Sequence, residues 1–113
     1  MNFEIKNVKI FVTVPLKNVN DVRNAICNAG AGIIGNYSFC TTSIRSTGTF
    51  IPNEKASPHI GTKNNLEVVE EEKVEAICPV EKVKQVVEKI RESHPYEEPA
   101  IDIVPLLDEA NFN

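Results

Sequence analysis

The chain has 113 residues and a formal net charge of −4. That length holds one domain, expected over residues 1–113 with a core at about 8–107, and no apolar run approaches the ~18 residues that a bilayer-spanning helix needs. The acidity excludes nucleic acid as the main partner, because phosphate binding wants clustered Lys and Arg, and three cysteines without a C-x-x-C spacing exclude a disulfide scaffold or a zinc ribbon and predict a reduced, cytoplasmic setting.

Met1 to Asn7 is polar and mixed in charge, unlike a secretory leader. From Val8 to Val14 the residues alternate, with Val8, Ile10, Val12 and Val14 on one face, which predicts a strand ending at Pro15. Asn18 or Asn20 is placed to cap a helix whose apolar stripe is Val19, Val22, Ile26 and Ala29, and Gly30 is its stop. Gly30, Gly32 and Gly35 match G-x-G-x-x-G, the dinucleotide fingerprint. That fingerprint needs a strand before it and a helix after it, and here the order is reversed. The three glycines are therefore read as a structural turn.

Tyr37 to Phe50 lacks a helical period and predicts a long strand, bent near Gly48. Residues 51–65 contain Pro52, Pro58 and Gly61 and read as a loop. Leu66 to Cys78 resumes strand character, interrupted by Glu70, Glu71, Glu72 and Lys73, a bulge or a solvated section. Pro79 or Val80 opens a second helix with Val83, Val86, Val87 and Ile90 as its stripe, ended by His94 before Pro95. Ala100 to Leu106 is the last strand, and Asp108 to Asn113 a loose tail.

The order β-α-β-β-α-β with right-handed crossovers predicts an α+β, ferredoxin-like sandwich: a four-stranded antiparallel sheet with both helices on one face. Val and Ile outnumber Leu by 25 to 4, which suits a pleated surface. Apolar residues lie on both faces of two strands, since Phe11 points away from Val8 and Ile10, and Val104 away from Ile103. A sheet half open to water alternates more cleanly, so the second face is expected to be covered by another subunit.

The candidate chemistry lies in His94-Pro95-Tyr96-Glu97-Glu98-Pro99, a rigid turn carrying His94, Tyr96, Glu97 and Glu98. Such a set could hold a divalent metal or form an acid–base pair. Short polar loops are more often plain connections, in which Tyr96 packs and the glutamates cap nearby N–H groups or sit in water. His59, beside Gly61 in the long loop, is a candidate second ligand, so that His94, His59 and Glu97 form the candidate metal set.

Three stretches together resemble the insert domain of the Nif-three-like proteins, also called homologues of GTP cyclohydrolase type 2. They are Val22 to Ala25 with Ala29 to Tyr37, which include Gly30, Gly32 and Gly35, then Gly48 to Pro52 with Ile60-Gly61, and His94 to Ala100. The resemblance implies a PII- and CutA-like fold, a homotrimer, and the 94–99 segment as a matched surface. The family's two metal ions are held by His, Asp and Glu of flanking domains. With two His and three Asp in this chain, those ligands do not carry over. The expectation is a non-catalytic oligomeric module that regulates a protein partner or binds a small molecule or ion, with no membrane or nucleic-acid role. The alternative is a divalent-metal protein or metal-dependent hydrolase.

Overall fold

The computed structural model describes residues 3–112; Met1, Asn2 and Asn113 lie outside it. The strands are β1 (Asn7–Pro15), β2 (Thr41–Phe50), β3 (Glu67–Pro79) and β4 (Ile101–Leu106), and the helices α1 (Val19–Asn28) and α2 (Val83–Ser93). The strands form one antiparallel sheet in the order β2-β3-β1-β4. This is the ferredoxin-like arrangement that the element order predicts.

Register follows the period of two. Val8, Ile10, Val12 and Val14 of β1 lie beside Val74, Ala76 and Cys78 of β3 on one face. That face meets Val19, Val22 and Ile26 of α1 and Val86 and Ile90 of α2, and together they form the buried core. The two halves of the chain repeat a pattern, Pro-x-x-x-Val-x-x-Val-x-x-x-Ile, at Pro15-Val19-Val22-Ile26 and at Pro79-Val83-Val86-Ile90. In each half the proline ends a strand, a single 3-10 turn follows (Leu16–Asn18, Val80–Lys82), and the helix begins on the first Val. The fixed φ of proline turns the chain out of the sheet, and the 3-10 turn supplies the first helical carbonyls.

Several local expectations change. Neither Asn18 nor Asn20 caps α1: Asn18 makes no cap bond, and Asn20 Oδ1 accepts from Arg23 Nη1 at 2.6 Å. The preceding 3-10 turn already leads the chain into the helix. The second helix begins at Val83 rather than at Pro79 or Val80. The second strand starts at Thr41 rather than Tyr37, because residues 33–40 form a turn with an isolated Ile34–Tyr37 bridge and Phe39 at φ +56°. No bulge interrupts β3; the β2–β3 ladder runs unbroken from Thr41–Ala76 to Phe50–Glu67. The tail is ordered through Phe112. Asp108 caps a 3-10 turn at Glu109–Asn111, and Phe112 packs on Phe3 at 5.6 Å between ring centroids.

The three glycines all have positive φ, as a structural turn requires. Gly32 is the one set against backbone: a side chain there would press on the Cys40 backbone and Cys27 Sγ, while its N–H donates to Ile77 O at 2.7 Å. The helix-free sheet face carries Phe11, Ile77, Ile44 and Val104, and Ile44 is 59% exposed.

Ile26 and Ile90 are fully buried at matching points of the two halves. Each Ile→Ala substitution is expected to cost about 2–5 kcal/mol in urea unfolding, because the cavity adds to the lost transfer energy. A cost below about 1 kcal/mol at either position would contradict this packing.

Candidate functional site

The site is built on the helix-free face of the sheet. Thr13, Ser46, Gly48, Phe50 and Glu71 share that face and form a floor. Two segments rise over it. The loop between β2 and β3 closes on itself through Lys63 Nζ donating to Glu54 O at 2.9 Å and Asn64 N–H donating to Pro52 O at 2.6 Å. The turn between α2 and β4, residues 94–100, is tied to that loop by Ser57 N–H donating to Glu97 Oε2 at 2.6 Å. Floor, loop and turn enclose a cleft of about 440 Å³.

His94 anchors the turn. It is 6% exposed, its Nε2 lies 2.7 Å from the Thr13 carbonyl, and its Nδ1 accepts the Tyr96 N–H at 3.1 Å. A carbonyl requires a donor and an N–H requires an acceptor, so these partners assign the neutral tautomer with its proton on Nε2. Burial, the largest influence, pushes the imidazole pKa below its ordinary 6.5.

Tyr96 projects from the anchored turn over the floor. Its OH donates to Glu71 Oε2 at 2.9 Å. Its ring lies 4.9 Å from His94, 6.1 Å from Phe50 and 6.5 Å from His59, measured between centroids. Burial, reinforced by the Glu71 bond, pushes the phenol pKa well above its ordinary 10. Tyr96 therefore stays protonated and acts as a donor.

Glu71 is 5% exposed. It sits opposite Ser46 across the β2–β3 ladder, and its carboxylate lies over Gly48, where any side chain would collide with Oε1. A strand glycine can mark a bulge or a close approach; at Gly48 it is a close approach.

The structure brings His59, Tyr96, Glu97 and Glu98 together around the cleft. His94 stands behind Tyr96 rather than in the wall. Gly61 lies outside the lining; its φ of +94° turns the loop and its bare Cα makes room for the Glu67 side chain. The candidate metal set of His94, His59 and Glu97 does not fit this geometry. Both His94 nitrogens are committed to backbone groups, Glu97 accepts from Ser57, and Glu98 lies 3.7 Å from Arg91. Among the described residues no three His, Cys, Asp or Glu side chains gather as a metal site.

Sequence reasoning missed Glu71, Ser46 and Phe50. Glu71 was hidden in a run of glutamates that reads as solvated, and only the cross-strand register sets it apart. The available signal was Gly48 in a strand of Thr and Ser.

Two outcomes follow from this network. Tyr96→Phe leaves the buried Glu71 carboxylate without its donor and is expected to cost about 1–3 kcal/mol of stability in denaturant unfolding; no loss would show that the bond does not matter. His94 binds its proton less readily when folded, so the unfolded chain takes up more protons as pH falls below about 6.5. The stability it contributes is complete above that value and is lost as pH falls through it toward the folded pKa. Thermal melts from pH 8 to pH 5 are expected to show this loss in the wild type and less of it in His94→Asn, and equal slopes would refute it.

No family model matches the chain. Curated relatives do. It is 48% identical over 101 residues to a GTP cyclohydrolase 1 type 2 homolog of Halalkalibacterium halodurans, covering 89% of this chain and 27% of the relative. A homolog of the same name from Bacillus subtilis is 44% identical over 98 residues, covering 87% and 26%. The chain thus spans about a quarter of the length of the curated relatives it matches. Among solved structures, a Bacillus cereus protein related to NIF3 superposes with a TM-score of 0.80 at 40% identity, over 95% of this chain and 27% of that one. The CutA divalent cation tolerance protein of Archaeoglobus fulgidus superposes with a TM-score of 0.65 at 17% identity, over 88% and 83%, which shows the fold alone. The described residues contain no helix long and apolar enough to cross a membrane. Over most of its own length the chain is thus similar to about a quarter of these NIF3-related proteins, and it shares its fold with CutA.

Proposed function

We propose that the chain is a non-catalytic, self-associating module that binds a small molecule in the Tyr96 cleft and so reports to a protein partner. The observation that carries this reading is the state of the cleft's polar groups. Tyr96, in the wall, is kept protonated by burial and its Glu71 bond, and His94 behind it has its pKa lowered by burial and both ring nitrogens on backbone partners. General acid–base work favours groups that titrate near the working pH; groups locked in one protonation state are suited to binding. The volume of about 440 Å³ lies within the range of small-molecule sites.

Self-association is supported by the helix-free face, where Phe11, Ile44, Ile77 and Val104 would otherwise meet water. A homotrimer, by the family resemblance, is the assembly expected in the cytoplasm.

Light scattering on the eluting protein is expected to give three times the chain mass of 12.5 kDa. Ile44→Lys, at a position 59% exposed in the single chain, is expected to lower that mass without unfolding the protein. A wild-type monomer would overturn the assembly reading.

A further inference from the structure

Glu71 is a buried carboxylate with no cation beside it. Its one hydrogen bond among the described residues comes from the neutral Tyr96 hydroxyl, and the cleft is lined by no Lys or Arg. Across the ladder, Ser46 Oγ is buried and has no hydrogen-bond partner. Buried carboxylates are ordinarily paired or fully hydrogen-bonded, and a buried hydroxyl without a partner carries a desolvation cost. Two adjacent groups on one cleft floor can therefore each accept from a further donor.

The surroundings narrow what that donor is. Phe50, His59 and Tyr96 present ring faces or edges to the cleft, and Pro52 and Pro58 add apolar wall. Glu97 and Glu98 line it as well, but Glu97 accepts from Ser57 and Glu98 lies 3.7 Å from Arg91, so Glu71 is the carboxylate that favours a positive charge in the cleft. Aromatic faces add to that preference.

We infer that the cleft takes a small cationic ligand, an amine or amidinium on an apolar ring-sized body, whose N–H groups meet Glu71 Oε1 and Ser46 Oγ while the ring stacks among Phe50, His59 and Tyr96. Glu71 supplies the charge, Tyr96 orients the carboxylate through Oε2, and Gly48 keeps the path to Oε1 clear of a side chain. This rests on the proposal that the cleft is a ligand site, and it names the ligand's chemical class.

The test uses three ring compounds of matched shape: benzamidine as the cation, benzamide as its neutral isostere and benzoate as the anion. Each is titrated into the full chain while the ring resonances of its two tyrosines and two histidines are followed by NMR. Benzamidine is expected to shift Tyr96 and His59 saturably, with affinity about 10-fold or more above that for benzamide, as a hydrogen bond to a charged group implies. Glu71→Gln keeps an acceptor for Tyr96 and is expected to remove that advantage. Should the variant fail to fold, the comparison of isosteres on the wild type still decides. Benzamide or benzoate binding at Tyr96 as tightly as benzamidine would overturn the cationic class while leaving a ligand cleft. No shift at Tyr96 or His59 with any of the three would overturn both.

Discussion

The contact between His94 and the Thr13 carbonyl fixes the position of everything in the cleft. Thr13 lies near the end of the central strand β1, whose backbone is held on both sides by β3 and β4. His94 ends α2, which is fastened to the core by Val86 and Ile90. One imidazole therefore joins two rigid elements at 2.7 Å. Its other nitrogen holds the backbone of Tyr96, so the aromatic ring is aimed before any ligand arrives. Pro95 and Pro99 limit how far the turn between can relax. Pre-set geometry of this kind lowers the entropy cost of binding.

The repeated Pro-Val-Val-Ile pattern explains why this contact exists only once. Both halves leave a strand at a proline, make one 3-10 turn and bury a helix by the same three positions. They diverge four residues past the last isoleucine, at Gly30 in the first half and His94 in the second. Gly30 has a φ of +116° and leads into the turn before β2, and Lys82 lies against it where a side chain would go. His94 has an extended backbone and folds its side chain back onto β1. The core is close to a twofold repeat; the site comes from breaking it at one position.

What could be read from the sequence follows the range of the physics. Strand and helix periods are local, so the faces of β1, α1 and α2, and the sandwich they imply, were legible from Val8, Val22 and Val86 alone. Turn geometry after Gly35 was not, because the left-handed Phe39 and the Ile34–Tyr37 bridge depend on how the chain meets β3. The glutamate run in β3 failed for a similar reason. Alternation continues through Glu70, Glu71 and Glu72, but charge on both faces conceals it, and Glu71 is distinguished only by Tyr96, 25 residues away. The 94–99 turn stood out by composition, yet composition does not reveal that His94 would spend both nitrogens on backbone. Ligand and structural anchor are the same residue type, separated by which atoms remain free.

The cleft also answers a structural need. The β2–β3 ribbon runs past the helices, and at its far end Val68 is 61% exposed on the helix side. A two-stranded ribbon has little stability alone. Its other side is covered where Phe50 meets Tyr96 and where Glu71 accepts the Tyr96 hydroxyl hydrogen bond. The same residues that would hold a ligand therefore hold the ribbon. A ligand bridging Glu71 and Ser46 would join the two strands from above and stiffen the ribbon as it binds. Because the ribbon shares its sheet face with Phe11, Ile44 and Val104, any such stiffening is delivered to the surface by which copies of the chain would associate. On the proposed reading, binding and assembly would be two uses of one sheet face, and a small molecule would influence a protein contact without a moving domain.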